Sequence, residues 1–330
     1  MSLPPLSILD LATVAEGESV REGLQASVEL AQRAERWGFR RIWYAEHHNM
    51  RSIASSATSV MIGHVASQTS TITLGAGGIM LPNHSPLQIA EQFGTLAELH
   101  PGRIELGLGR APGTDQNTFR ALRRDPRASE TFPQDVQELA AYLGSDSLVP
   151  GVNAYPGRGT GVPLYVLGSS LYGAQVAAIL GLPYAFASHF APEQLEQAVE
   201  TYRAEFRPSA QLAEPRVMAG VNVIAADSAQ EAADLQHKAQ VNRVKLFLSR
   251  GGNRLTDTEA EAVLSTPSGR QILGMMKYTA VGTPETVQTW LEDLAARVGL
   301  DELIVACPVV DRTAWFRSFE LLAERAAVAA

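Results

Sequence analysis

The sequence predicts an α/β protein closed into a (β/α)8 TIM barrel, on three observations. Short β-rich runs alternate with amphipathic helical runs, eight such strands fit within 330 residues, and no low-complexity tract divides the chain. A barrel of this kind takes about 250 residues plus insertions, so residues 1–330 are read as a single domain. An open doubly wound sheet shows the same alternation and stands second.

Taken in order, strand one at Leu6–Leu11 leads into the helical run Val20–Trp37, where Val20, Leu24, Val28 and Ala31 recur at spacings of three and four. Strand two (Arg41–Glu46) precedes the helix Ala57–Gln68, and strand three (Ile72–Leu81) precedes Pro86–Leu99. Strand four (Arg103–Gly109) runs into a Pro/Gly-rich loop and then the helix Phe132–Leu143. Strand five (Pro163–Gly168) is followed by Tyr172–Leu180, and strand six (Tyr184–Ser188) by Pro192–Phe206. After strand seven (Val217–Ala225), the least regular region is Ser249–Gly282, which includes Arg250-Gly251-Gly252-Asn253 and Ser265-Thr266-Pro267-Ser268-Gly269. It reads as an insertion between strands seven and eight and as a mobile lid. The helix Pro284–Val298, strand eight (Glu302–Val309) and an amphipathic run around Trp315–Leu322 complete the chain. Parallel neighbours need crossover connections, and right-handed crossovers place the helices outside.

Composition narrows the function. Hydrophobic residues at 45% and charged residues at 19% suit a soluble globular enzyme. A net charge of -8 without a basic block argues against nucleic acid and anionic membranes, which need a concentrated positive field. The expected partner is a small molecule. The single cysteine, Cys307, has no partner for an internal disulfide and reads as a small buried hydrophobe. The opening MSLPPLSILD lacks a basic region followed by a long apolar stretch, and no run of about 18 apolar residues occurs, so the expected location is cytoplasmic.

In a parallel barrel the chemistry collects at the carboxyl ends of the strands. Strand one ends near Asp10, and strand two ends in Glu46-His47-His48-Asn49. Strand three ends in a glycine-rich stretch, Gly75-Ala76-Gly77-Gly78, followed by His84. Strand four ends in Gly107-Leu108-Gly109-Arg110, strand five in Gly168-Ser169-Ser170, and strand six in Ser188-His189. The planar fork of Arg110 suits a phosphate. Ser169, Ser170 and Gly173 open a helix whose free N–H groups favour an anion, although N-capping alone accounts for such serines. The Gly107-Leu108-Gly109 pattern lacks a third glycine and a following helix, so it is no nicotinamide fingerprint. The strand-three glycines mark a bulge, or the close approach of a flat ring or another backbone. His47 and His48, adjacent on a strand, point in different directions, and no HxH, HExxH or cysteine cluster accompanies them, so no metal is expected. One of them serves as an acid/base group, or both are structural. Asp10, His48, His84 and His189 are further candidates for the pocket wall.

Five ordered stretches, WYAEHHN, GGIMLPNHSPLQIAEQF, HPGRIELGLGRAPGTD, GSSLYGAQVAAILGLPYAF and VGTPETV, span most of Leu6 to Pro308. Over them the chain resembles the bacterial luciferase-like flavin monooxygenases, close to the alkanal monooxygenase alpha chain. The resemblance implies an α/β barrel that binds reduced FMN, supplied by a separate flavin reductase, and reacts it with O2. The product is a hydroperoxyflavin that oxygenates a small organic substrate, for which an aldehyde is the analogy. It implies His47 as the catalytic histidine, a non-prolyl cis peptide at Gly77-Gly78 whose glycines carry the flavin ring, and phosphate binding by Arg110 with Ser170 and Gly173. The luciferase cysteine before that arginine is Gly109 here and the phosphate-binding threonine is Gly173. Light emission is therefore not implied, and contact at Gly173 is through backbone alone. The resemblance also implies a homodimer, to which the small residues of Ala54–Gly63 are suited. Two other readings use the same rim: hydride transfer from the deazaflavin F420, and a non-catalytic flavin-binding protein.

Overall fold

The computed structural model describes residues 3–111, 115–249 and 255–329. Its strands are β1 (Leu6–Asp10), β2 (Arg41–Tyr44), β3 (Thr73–Met80), β4 (Ile104–Gly109), β5 (Leu164–Gly168), β6 (Tyr184–Phe186), β7 (Val217–Ala225), β8 (Thr279–Gly282) and β9 (Glu302–Ala306). All pair in parallel. Strands β1 to β7 follow one another, β9 joins β7, and β9 returns to β1, so eight strands close into a barrel. Helices occupy the connections between strands, as right-handed crossovers require.

The expected eighth strand is β9. The additional strand, β8, pairs only with the far half of β7, Asn222–Ala225, whereas Met218–Asn222 of β7 pair with β9. The nine-residue β7 thus serves the barrel with its first half and an outer ribbon with its second. The region 249–282, expected to be irregular, instead contains two helices, Asp257–Leu264 and Pro267–Gly274, before β8. A capping box at Thr256 and Glu259 starts the first of them. Arg250-Gly251-Gly252-Asn253 lie outside the described residues, as do Pro112 and Gly113 of the loop after β4.

The 20-residue helix Ala229–Leu248 was not anticipated. Its apolar residues divide between two partners, which blurs the periodicity. Ala232, Leu235 and Ala239 face the main core, while Val241 and Val244 pack with Ala260 and Ile272 of the two insertion helices. By contrast, Val20–Trp37 shows every expected signal: a capping box between Ser19 and Glu22, and Gly38 in the left-handed conformation at its end.

The barrel interior is layered. Along β2, Arg41, Trp43 and Ala45 alternate inward with Ile42 and Tyr44 outward. At the amino end the interior is ionic: Arg41 donates to Glu105 and Glu302, Ser7 donates to Glu302, and Tyr165 donates to Glu105. Each buried charge there has an opposite partner, which offsets its desolvation. Above this layer Leu9, Trp43, Tyr165, Ala185, Met218 and Ile304 form an apolar plug. Only the carboxyl end of the barrel is left for a ligand.

Candidate active site

Period-two alternation sets the roles of Glu46, His47 and His48. With Ala45 inside, Glu46 turns outward, His47 returns toward the interior, and His48 turns outward again. Glu46, 1% exposed, is the hub of the outer side. Its oxygens lie 2.7 Å from His48 Nε2, and 2.9 and 3.0 Å from His84 Nε2, and Oε2 accepts the Met80 N–H at 2.9 Å. Burial alone would raise this carboxyl, but the bonds from His48, His84 and Met80 outweigh it and bring its pKa down to about 2. The same bond raises the pKa of His48. His84 therefore ties the end of β2 to the short 3₁₀ turn Leu81–Asn83, while His48 closes on Glu46 within its own segment.

His47 has no such bond. Its Nδ1 is buried without a hydrogen-bond partner, and burial holds its pKa below the ordinary value. It acts electrostatically on His189, whose Nδ1 is likewise buried and unpartnered. The His189 ring lies against Gly220 so closely that a β-carbon there would stand 2.2 Å from Nδ1. Asn222 anchors the residue, donating to its backbone carbonyl at 2.7 Å. Burial, with the neighbouring charges of Arg243 and His47, brings His189 down to about 3. Two imidazoles kept neutral near pH 7 thus lie within electrostatic reach of each other. Asn222 and Arg243 stand in segments that gave no motif, and their contribution was not foreseen.

The Gly77–Gly78 peptide bond is cis, where the resemblance places it, and the β3–β4 register shifts between Gly77 and Ile79. The glycines first serve packing. A β-carbon on Gly75 or Gly77 would meet the Trp43 indole, and one on Gly78 would meet the Gly107 carbonyl at 2.7 Å. The β-carbon directions at Gly75 and Gly77 are therefore filled by Trp43 and that at Gly78 by backbone, so these glycines answer first to packing.

Arg110 and the helix Leu171–Leu180 come together as the sequence suggested. The guanidinium lies 4.2 Å over the ring of Tyr172, in the first turn of that helix, and Arg110 itself is exposed. Among the described residues it has no carboxylate partner. Ser170 occupies the N-cap position, yet its side chain makes no capping bond, so hydroxyl and first-turn N–H groups are available. Ser169 beside it is exposed. Gly173 is different: it is buried, 3.2 Å from Gly168 by its absent β-carbon and close to Tyr184, so its small size answers to strand–helix packing.

Asp10 does not reach the pocket. Leu9 and Leu11 face the interior, so Asp10 points into the helix layer. There its Oδ1 accepts the Ala12 N–H, while burial raises its pKa against the opposing bond from Ser27. Cys307 is also on the helix side, packed against the core near Ser318, and burial pushes its thiol up to about 11.

Parallel barrels bind small ligands at their carboxyl end, and the polar groups left unpaired there, His47, His189 and Arg110, give this chain the makings of a small-molecule enzyme. It belongs to the luciferase-like monooxygenase family, whose profile matches residues 5–302. A luciferase-like monooxygenase of Escherichia coli K12 is 47% identical over 96% of this chain and 95% of its own length. The N-acetyl-S-alkylcysteine monooxygenase of Bacillus subtilis is 32% identical over 97% of each chain. The crystal structure of apo-MsnO8 is 36% identical, with a TM-score of 0.88, over 99% of this chain and 98% of that one. Among the described residues no helix is long and apolar enough to cross a membrane.

Proposed function

We propose that the protein is a two-component flavin monooxygenase, which takes reduced FMN from a separate reductase and uses O2 to oxygenate a small organic substrate. The observation that carries this reading is the unpartnered His47, turned inward at the same rim as the free Arg110 and the uncapped helix start at Ser170. Reduced FMN, when bound, supplies the electrons for O2 activation. Arg110, the Ser170 hydroxyl and the first-turn N–H groups would hold its phosphate. The cis Gly77–Gly78 peptide would carry the flavin ring through its backbone, since the β-carbon directions of both glycines are already filled. His47, neutral near pH 7, accepts or returns a proton at Nδ1, as acid/base work demands. The plug of Leu9, Trp43 and Tyr165 closes the barrel below and excludes water. Pairing into a homodimer belongs to the same reading.

Anaerobic titration with reduced FMN tests the reading. Saturable binding below about 100 μM is expected, within the range of ordinary enzyme affinities for substrate. No binding, or a preference for reduced F420, overturns it.

A further inference from the structure

Arg243 is a cation for which the described chain supplies no anion. It lies on the helix Ala229–Leu248, and its Nε is buried with no hydrogen-bond partner. Arg41 and Arg216 also carry a buried Nε without a hydrogen bond, but their guanidiniums pair with carboxylates, Arg41 with Glu105 and Glu302, and Arg216 with Glu302 at 2.8 Å. Around Arg243, no ion pair forms among the described residues. One face of its guanidinium is covered by Phe247, 4.8 Å away and one turn on, which steadies the plane while leaving the edge to hydrogen-bond.

The end of its helix is held at the mouth of the barrel. Two residues on, Lys245 bridges Glu16 of the loop after β1 at 3.3 Å and Asp257 of the first insertion helix at 2.7 Å. The last turns of this helix are thereby tied to the carboxyl-end rim. The charge of Arg243 is felt by His189, which faces His47. A half-buried guanidinium without a counter-charge bears a desolvation cost that a ligand anion would offset.

We propose that Arg243 binds a carboxylate carried by the substrate, so that the substrate class is small organic acids with an apolar body. The guanidinium fork matches a carboxylate in two parallel hydrogen bonds. The neighbouring imidazoles, neutral and able to donate, complete a site for an anion beside the reacting group. The substrate class rests on the flavin-monooxygenase reading, since it takes this mouth to be the place of reaction.

The test uses matched probes on the full chain: octanoate against octanamide, and phenylacetate against phenylacetamide, followed by calorimetry. Each acid is expected to bind at least about tenfold tighter than its amide, the share of a charge-assisted hydrogen bond. R243M should bring acid and amide to equal affinity, and R243K should keep part of the preference. R243K is the deciding variant if circular dichroism shows that R243M does not fold. Equal affinities in the parent, an undiminished preference in the variants, or no saturable acid binding up to about 10 mM overturns the proposal. Loss of discrimination between FMN and riboflavin in R243M overturns it too, by assigning Arg243 to the cofactor phosphate. If the acid preference and its loss hold but reduced FMN fails to bind, the anion site stands and the flavin reading fails. If FMN binds and acids are not preferred, this inference alone falls.

Discussion

His84 Nε2 stands 2.9 and 3.0 Å from the two oxygens of Glu46, across the gap between the end of β2 and the turn after β3. Together with His48 at 2.7 Å, this makes Glu46 the fastening of the rim and leaves His47 free.

The pH dependence of stability follows from that fastening. The Glu46 carboxyl titrates near 2 when folded and near 4.5 when unfolded. A depressed folded pKa contributes stability that is present above the unfolded value and lost as the pH falls through the folded one. Its stabilisation should therefore decline between about pH 4.5 and 2. His48 has the opposite sign: its raised pKa gives stability present below 6.5 and lost as pH rises through the folded value. E46Q should lose about 2 kcal/mol at neutral pH, the scale of a charge-assisted bond, and flatten the acid slope. Urea midpoints measured across pH check this; an unchanged slope would remove Glu46 from its role.

His189 titrates near 3 instead of 6.5 because it is held neutral. Its folded value again lies below the unfolded one, so stability should fall as pH drops from about 6.5 toward 3. The interval from 6.5 to 5 lies above the Glu46 window, and His47, whose pKa is lowered as well, shares it. H189Q should reduce the slope there; a parental slope in the thermal midpoint would assign it elsewhere.

H47A should fold as well as the parent, because the ring makes no hydrogen bond through Nδ1. Reduced FMN should still bind, while more O2 is consumed per product formed and peroxide is released. Oxygen-electrode and product assays on one sample check it. Parental coupling would show that His47 has no part in proton transfer.

R110A should weaken FMN by about 10- to 100-fold, the loss of one charged hydrogen-bond partner. Riboflavin, which has no phosphate, should bind the variant and the parent alike. An equal loss for both flavins would mean that Arg110 supports the rim and not the phosphate.

G220A places a β-carbon 2.2 Å from His189 Nδ1, so the ring must move. A cost of about 1–3 kcal/mol is expected from overpacking, with a larger effect on catalytic coupling than on flavin affinity. A variant with parental stability and coupling would show that the ring has room to spare.

Much of this protein is written in its local sequence. Alternating periodicities set out the eight barrel strands and most outer helices, because each element must bury one face at its own period. The same period-two rule separates His47 from His48, and applied to Leu9, Asp10 and Leu11 it also removes Asp10 from the pocket. Adjacent short motifs at strand ends marked Arg110 and Ser170, since a parallel barrel brings all those ends to one rim.

What the tertiary structure alone decided is which polar groups satisfy one another. His48 and His84 are equivalent to His47 in sequence, yet Glu46 engages them across 2 and 38 residues of chain and not their neighbour. The missing β-carbons of Gly75 and Gly77 make room for the Trp43 indole, a contact no local motif announces. The helix Ala229–Leu248 carries its apolar residues toward two cores at once, so neither its length nor the position of Arg243 at the mouth could be read from one periodicity. Propensity and pattern act between neighbours along the chain, whereas hydrogen-bond satisfaction and burial are properties of the closed barrel.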